Sequence, residues 1–298
     1  MTANVSRPPA VSLTEFSAEY RTRLGTTRAL EQIDLDVAPG ELLAIVGESG
    51  SGKSTVSQAI GRMLPRVCHI TSGSVRVLGR DLADLAPDAI RALRRESLGF
   101  IPQDPIASLD PTMRIRRQLE LALKPLGRPT DPGSLTELLE SVKILEPDRV
   151  LRLYPHEVSG GMAQRIAIAL TMAREPEILI ADEPTASLDA QVRDEILTLI
   201  VDLVRRSGAS LIWISHDLGA VRRWCGRVVV MHRGRIVEEG PTAQVLDDPQ
   251  AEYTRTLVAA MPGRAEPGRT EPAAKDRASA DPASADPEAR DLATKEAE

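Results

Sequence analysis

Residues 47–55 read Gly47-Glu48-Ser49-Gly50-Ser51-Gly52-Lys53-Ser54-Thr55, which fits the pattern G-x-x-x-x-G-K-[ST]. Glycines at this spacing let successive backbone N–H groups converge on phosphate oxygens with no Cβ in the way. A strand-length apolar run, Leu42 to Val46, precedes the loop, and the helix-forming Val56-Ser57-Gln58-Ala59-Ile60 follows it. A helix beginning there would turn its positive N-terminus toward an anion. Lys53 supplies a point charge for the β- and γ-phosphates, and Ser54 a hydroxyl for Mg2+. Only five of the 37 cationic side chains are lysines, and no other lysine lies near the loop. The segment therefore predicts a site for a magnesium-bound nucleoside triphosphate.

Such a site needs carboxylates. Ile178-Leu179-Ile180-Ala181 runs into Asp182-Glu183-Pro184. Taken alone, two acids before a proline could simply begin a turn. At the end of a parallel strand they would open on the same sheet edge as the phosphate loop. Asp182 then holds Mg2+ through water, and Glu183 polarises the attacking water. His216 follows a third apolar run, where a lone histidine is more often structural than functional.

The elements that must position these residues are readable. The runs at 42–46, 177–181, 210–214 and 227–231 are continuous and apolar, as strands buried on both faces of a parallel sheet are. Between the second and third, Val192, Ile196, Ile200 and Val204 recur at intervals of four on one helix face. This alternation predicts an α/β fold. Residues 86–172 lack strand-like runs and read as a helical insertion, with helices near 113–126 and 135–145. No internal repeat is present.

Residues 262–298 contain five prolines, ten alanines, one leucine and no aromatic, at a net charge of −3. That composition predicts a disordered tail. For the chain as a whole, 298 residues with 42% apolar and 27% charged residues are the values of a globular protein. No apolar window approaches the length of a membrane span, and the N-terminal residues carry no secretion-signal pattern. Two cysteines, Cys68 and Cys225, exclude a disulfide framework and a four-cysteine metal site. A net charge of −6 and a pI near 5.5 give no pull toward nucleic acid.

Val158-Ser159-Gly160-Gly161-Met162-Ala163-Gln164-Arg165 resembles the signature motif of ATP-binding cassette (ABC) ATPases, and it stands about twenty residues before the Asp182-Glu183 pair, as in that family. Ser159 can cap a helix whose N-terminal amides, with Gly160 and Gly161, would face a phosphate. Gln103, in Phe100-Ile101-Pro102-Gln103-Asp104-Pro105, matches the family's Q-loop glutamine, which touches Mg2+ or water. Ser187-Leu188-Asp189 resembles its D-loop, and His216 its switch histidine, which contacts the γ-phosphate. His69, His156 and His232 have no such context and are read as structural.

The resemblance narrows further. Gln103-Asp104-Pro105-Ile106-Ala107-Ser108-Leu109-Asp110-Pro111 and Tyr154-Pro155-His156-Glu157 are similar to segments of the peptide/opine/nickel importer ATPases, as is Tyr253-Thr254-Arg255-Thr256-Leu257. Met162 resembles the first of the two different ATPases that these importers use. The resemblance implies a RecA-like core at about 10–85 and 173–261, with a β-rich N-terminal part and a helical subdomain at about 86–172. It also implies ATP and Mg2+ as ligands, a second ATPase subunit, two permease subunits and an external solute-binding protein, at the cytoplasmic face of the cell membrane. Two departures stand out. No cysteine follows Cys225, so the iron–sulfur cluster of many members is not expected. The position of the aromatic that stacks on adenine falls near Leu24-Gly25, leaving Tyr20 or Phe16 as substitutes. An accessory ATPase of phosphonate breakdown is the alternative reading. Ribosome-binding and DNA-repair cassettes are disfavoured, because neither paired cassettes nor a coiled coil nor a basic linker is present.

Overall fold

Along each central strand, neighbouring apolar residues enter opposite cores. Leu43 and Ile45 pack on one side and Ala44 and Val46 on the other, as do Ile178 and Ile180 against Leu179 and Ala181. Side chains alternate across a strand, so a strand covered on both faces needs an unbroken apolar run. The computed structural model describes residues 8–23, 25–186 and 188–261. The tail expected at 262–298 lies outside them, as do Leu24 and Ser187.

In chain order the elements are β1 (Val11–Thr22), β2 (Gly25–Val37), β3 (Leu42–Val46), α1 (Lys53–Ile60), β4 (Cys68–Val77), β5 (Arg80–Asp81), α2 (Pro87–Glu96), β6 (Leu98–Ile101), α3 (Ile115–Leu123), α4 (Pro132–Ser141), α5 (Pro147–Val150), α6 (Gly160–Met172), β7 (Ile178–Asp182), α7 (Ala190–Ser207), β8 (Ser210–Ile214), α8 (Leu218–Trp224), β9 (Arg227–His232), β10 (Arg235–Pro241), α9 (Thr242–Asp247) and α10 (Glu252–Ala259). β1, β2, β4 and β5 form an antiparallel sheet in the order β2-β1-β4-β5. The second sheet runs β10-β9-β3-β8-β7-β6. Its strands β9, β3, β8, β7 and β6 are parallel, and β10 returns antiparallel to β9.

One core fills the space between the antiparallel sheet and one face of the parallel sheet, and includes Phe16, Ile33, Leu43, Ile60 and Val77. The other joins the opposite face to α3, α4, α6 and α7, through Leu119, Leu139, Ile166 and Ile200. The mixed α/β, P-loop architecture expected from the sequence is the one observed. The face of α7 is as predicted: Ile196, Ile200 and Val204 are buried, and Val192 is half-buried.

The expectation for residues 86–172 is corrected in its first part. β6 lies within that range and pairs with β7 as the outermost parallel strand. α2 belongs with it, since Ile90, Leu93 and Leu98 pack into the core under the antiparallel sheet. Four residues interrupted by Gly99 are too short to read as a strand run. The glycine is there for packing, because a Cβ at that position would lie 2.8 Å from Thr171 and 2.9 Å from Leu179 and Pro176. Between β6 and β7 the described elements are helices, beginning with α3.

Candidate functional site

Four loops meet at the edge where β3, β8, β7 and β6 all end. They carry Gly47 onward, Ser215-His216, Asp182-Glu183 and Gln103, and parallel pairing brings them side by side. β6, missed in the sequence, is what delivers Gln103.

The loop after β3 has a shape only glycine permits. Gly47 has φ 149°, and a Cβ there would lie 2.2 Å from the carbonyl oxygen of Met231. Gly52 has φ 105°, and its Cβ would meet Leu30 at 2.8 Å and the Ala29 carbonyl at 2.9 Å. Gly52 is also the N-cap of α1 and offers no side-chain acceptor, so the first-turn amides are left to another partner. Lys53 is only 6% exposed. Its Nζ donates to the carbonyls of Gly47 and Glu48, each at 2.8 Å. Burial pushes this ammonium below its ordinary pKa, against the pull of Glu183, Asp182 and Glu48.

A cleft of about 370 Å3 is lined by Ser49, Gly50, Gly52, Lys53, Ser54 and Thr55, with Gln103, Asp182 and Glu183 opposite. Burial raises the pKa of Asp182, partly offset by a hydrogen bond from Ser54. Gln103 Nε2 and His216 Nδ1 each lie 3.5 Å from Glu183 Oε2. Glu183 has a left-handed backbone (φ 46°), uncommon for a residue with a Cβ. Its N–H donates to the Ile214 carbonyl at 3.0 Å and its carbonyl accepts from Ala186 at 3.1 Å. An acid held in this way at a strand end marks a position fixed by its surroundings.

Not every residue read as phosphate-binding lines the cleft. Gly47 and Glu48 lend carbonyls to Lys53, and Ser51 is buried. Among the aromatic candidates, Phe16 is fully buried in the core, whereas Tyr20 lines the cleft with its hydroxyl 3.4 Å from Thr55 Oγ1. Thr27, Arg28 and Ala29 of β2 line it as well, and nothing in their sequence marked them. Sequence reasoning also passed over His232, whose Nδ1 is 3.0 Å from Glu48 Oε1.

Ser159 caps α6, accepting from Met162 N–H at 3.3 Å, as its place in the sequence predicted. Ser159 and Gly160 are exposed, Gly161 is half-buried, and none of the three lines the cleft. Asp189 caps α7 by accepting from Val192 N–H at 3.0 Å.

A family model described as ABC transporter matches residues 30–186. The chain is 43% identical over 259 residues to the peptidoglycan transport ATP-binding protein YejF of Agrobacterium fabrum, covering 85% of this chain and 47% of that one. It is 39% identical over 252 residues to the oligopeptide transport ATP-binding protein OppD of Bacillus subtilis, covering 83% and 70%. The chain thus spans about half the length of the first relative and over two thirds of the second. A dimeric structure of the ATP-binding cassette MJ0796, in a post-hydrolysis state bound to ADP and Pi, aligns with a TM-score of 0.69 at 29% identity, over 78% of this chain and 98% of that one. With this match over residues 30–186 and these identities, the chain belongs to the ABC transporter family.

Proposed function

We propose that the chain is the ATPase subunit of a peptide importer, working at the cytoplasmic face of the membrane. The observation that carries this reading is the convergence of Lys53, Asp182, Glu183 and Gln103 on one cleft. ATP enters with its β- and γ-phosphates against the amides of residues 49–55 and the Lys53 ammonium. The Lys53 ammonium spends two of its three donors on the Gly47 and Glu48 carbonyls and has a third for a charged phosphate oxygen, which accepts a stronger hydrogen bond. Ser54 and Asp182 suit Mg2+: they already touch, and a half-buried carboxylate gains from a cation beside it. When bound, that ion would offset the negative charge on the phosphates. Glu183 accepts the proton of the attacking water, while Gln103 and His216 hold its carboxylate in place.

The relatives' transport names favour an importer over a phosphonate-breakdown role. They also favour peptides as cargo, with nickel or another chelated metal and opines as the other solutes of the class. No helix among the described residues is long and apolar enough to cross a membrane. In this reading two permease subunits and a solute-binding protein complete the transporter. A groove of about 550 Å3 beside the Gln103 loop, lined by Met63, Phe100, Leu121 and Leu170, suits a permease helix. Ser159 to Gly161 lie outside the cleft, which supports a head-to-tail pair of cassettes in which this motif serves the other subunit's ATP. Met162 suits a partner cassette different from this one.

Lys53→Ala tests the phosphate assignment. Loss of a charged hydrogen-bond donor should weaken Mg-ATP binding by about 10- to 100-fold. Equilibrium binding like that of the wild type would remove Lys53 from the site.

A further inference from the structure

Tyr253 stands 205 residues from Glu48 in sequence, yet its Oη accepts the Glu48 N–H at 2.8 Å. The other end of the same peptide unit, the Gly47 carbonyl, accepts from Lys53 Nζ at 2.8 Å. In a trans peptide these two groups point in opposite directions. One phenol and one ammonium therefore grip the Gly47–Glu48 plane from its two sides. Glycine at φ 149° has little conformational preference of its own to hold that plane.

Tyr253 is itself firmly placed. Its ring lies against the His232 imidazole, with centroids 4.0 Å apart. His232 Nδ1 in turn lies 3.0 Å from Glu48 Oε1. The start of α10 is fastened by Glu238 of β10, whose carboxylate accepts from Gln250 N–H at 2.8 Å and Ala251 N–H at 3.0 Å. β10 pairs with β9, and β9 with β3, the strand that leads into the phosphate loop. The path from the loop through the sheet edge to α10 closes on the loop again through one hydroxyl.

We infer that Tyr253 is a positioning residue of the nucleotide site, which aims the Gly47 carbonyl at Lys53 and so sets where the ammonium waits for phosphate. Without the hydroxyl, the Glu48 N–H loses its protein acceptor and the plane is free to rotate. A rotated plane turns an N–H toward the Lys53 ammonium, a repulsive pairing that displaces it. The effect falls on binding. Glu183 is held separately, by β7 and by its own contacts.

The inference rests on Lys53 as the phosphate ligand, and Tyr253→Phe tests it, because the ring and its His232 contact remain while only the hydroxyl goes. With the full chain, calorimetry should find Mg-ADP bound about 2- to 10-fold more weakly, the scale of one hydrogen bond. In the assembled transporter the KM for ATP should rise by a similar factor with kcat held within about twofold, the pattern of lost uniform binding. Hydrogen exchange should show the Glu48 amide losing protection in the nucleotide-free chain. Equal Mg-ADP affinity would overturn the inference, and so would a protected Glu48 amide. A lower melting temperature with unchanged affinity would make Tyr253 a mere anchor for α10 and overturn it equally. A wild-type chain that fails to bind Mg-ADP would overturn the Lys53 reading together with it.

Discussion

Burial acts on the two charged groups at the heart of the cleft in opposite directions. It lowers the pKa of Lys53 and raises that of Asp182, so each is held nearer to neutrality than in water. A carboxyl group whose folded-state pKa is raised contributes stability at low pH, and that contribution is lost as pH rises through the folded value. Asp182→Asn removes the titration but keeps an oxygen for the Ser54 hydroxyl. Without nucleotide, the variant should therefore be more stable than the wild type at neutral pH. The gap should close as pH falls through the carboxylate range. Urea midpoints measured across that range check this, and a gap independent of pH would contradict it. Lys53, Ser54, Asp182, Glu183 and His216 were legible because each follows an apolar run ending at one sheet edge. Tyr253 and His232 were not, because only the fold brings residues from β9 and α10 onto a loop that follows β3.

At the scale of elements, legibility followed length. The runs at 42–46, 210–214 and 227–231 fall on β3, β8 and β9 because both faces of those strands are covered and the residues of the runs, apart from Ser210 and Arg227 at the strand starts, are apolar. The caps of α6 and α7 were equally readable, since Ser159 and Asp189 bond the amide three residues on by local geometry alone. β6 escaped because four residues with a central glycine carry no periodic signal. Its existence depends on β7 beside it and on Thr171 and Pro176 above it. Gly99→Ala tests that packing directly. A Cβ 2.8–2.9 Å from three neighbours should cost about 1–3 kcal/mol, the range of an overpacked core. Denaturant unfolding would read the loss, and unchanged stability would mean that β6 and α6 are packed more loosely than described.

At the scale of the whole molecule, the cleft offers acceptors and donors for one face of a triphosphate, while the capped end of α6 faces elsewhere, exposed. Two cassettes closing head to tail would bring that end onto the partner's γ-phosphate through charge-assisted hydrogen bonds that exist only in the closed state. In that arrangement ATP would drive closure and hydrolysis would release it. The account depends most on Glu183 as the group that takes the proton from water. In the assembled transporter, Glu183→Gln keeps the shape of the side chain and removes its basicity. Turnover of Mg-ATP should fall by about 100-fold or more, the scale of a lost general base, while ATP binding persists and the cassettes remain closed with ATP unhydrolysed between them. Turnover equal to that of the wild type would contradict the account.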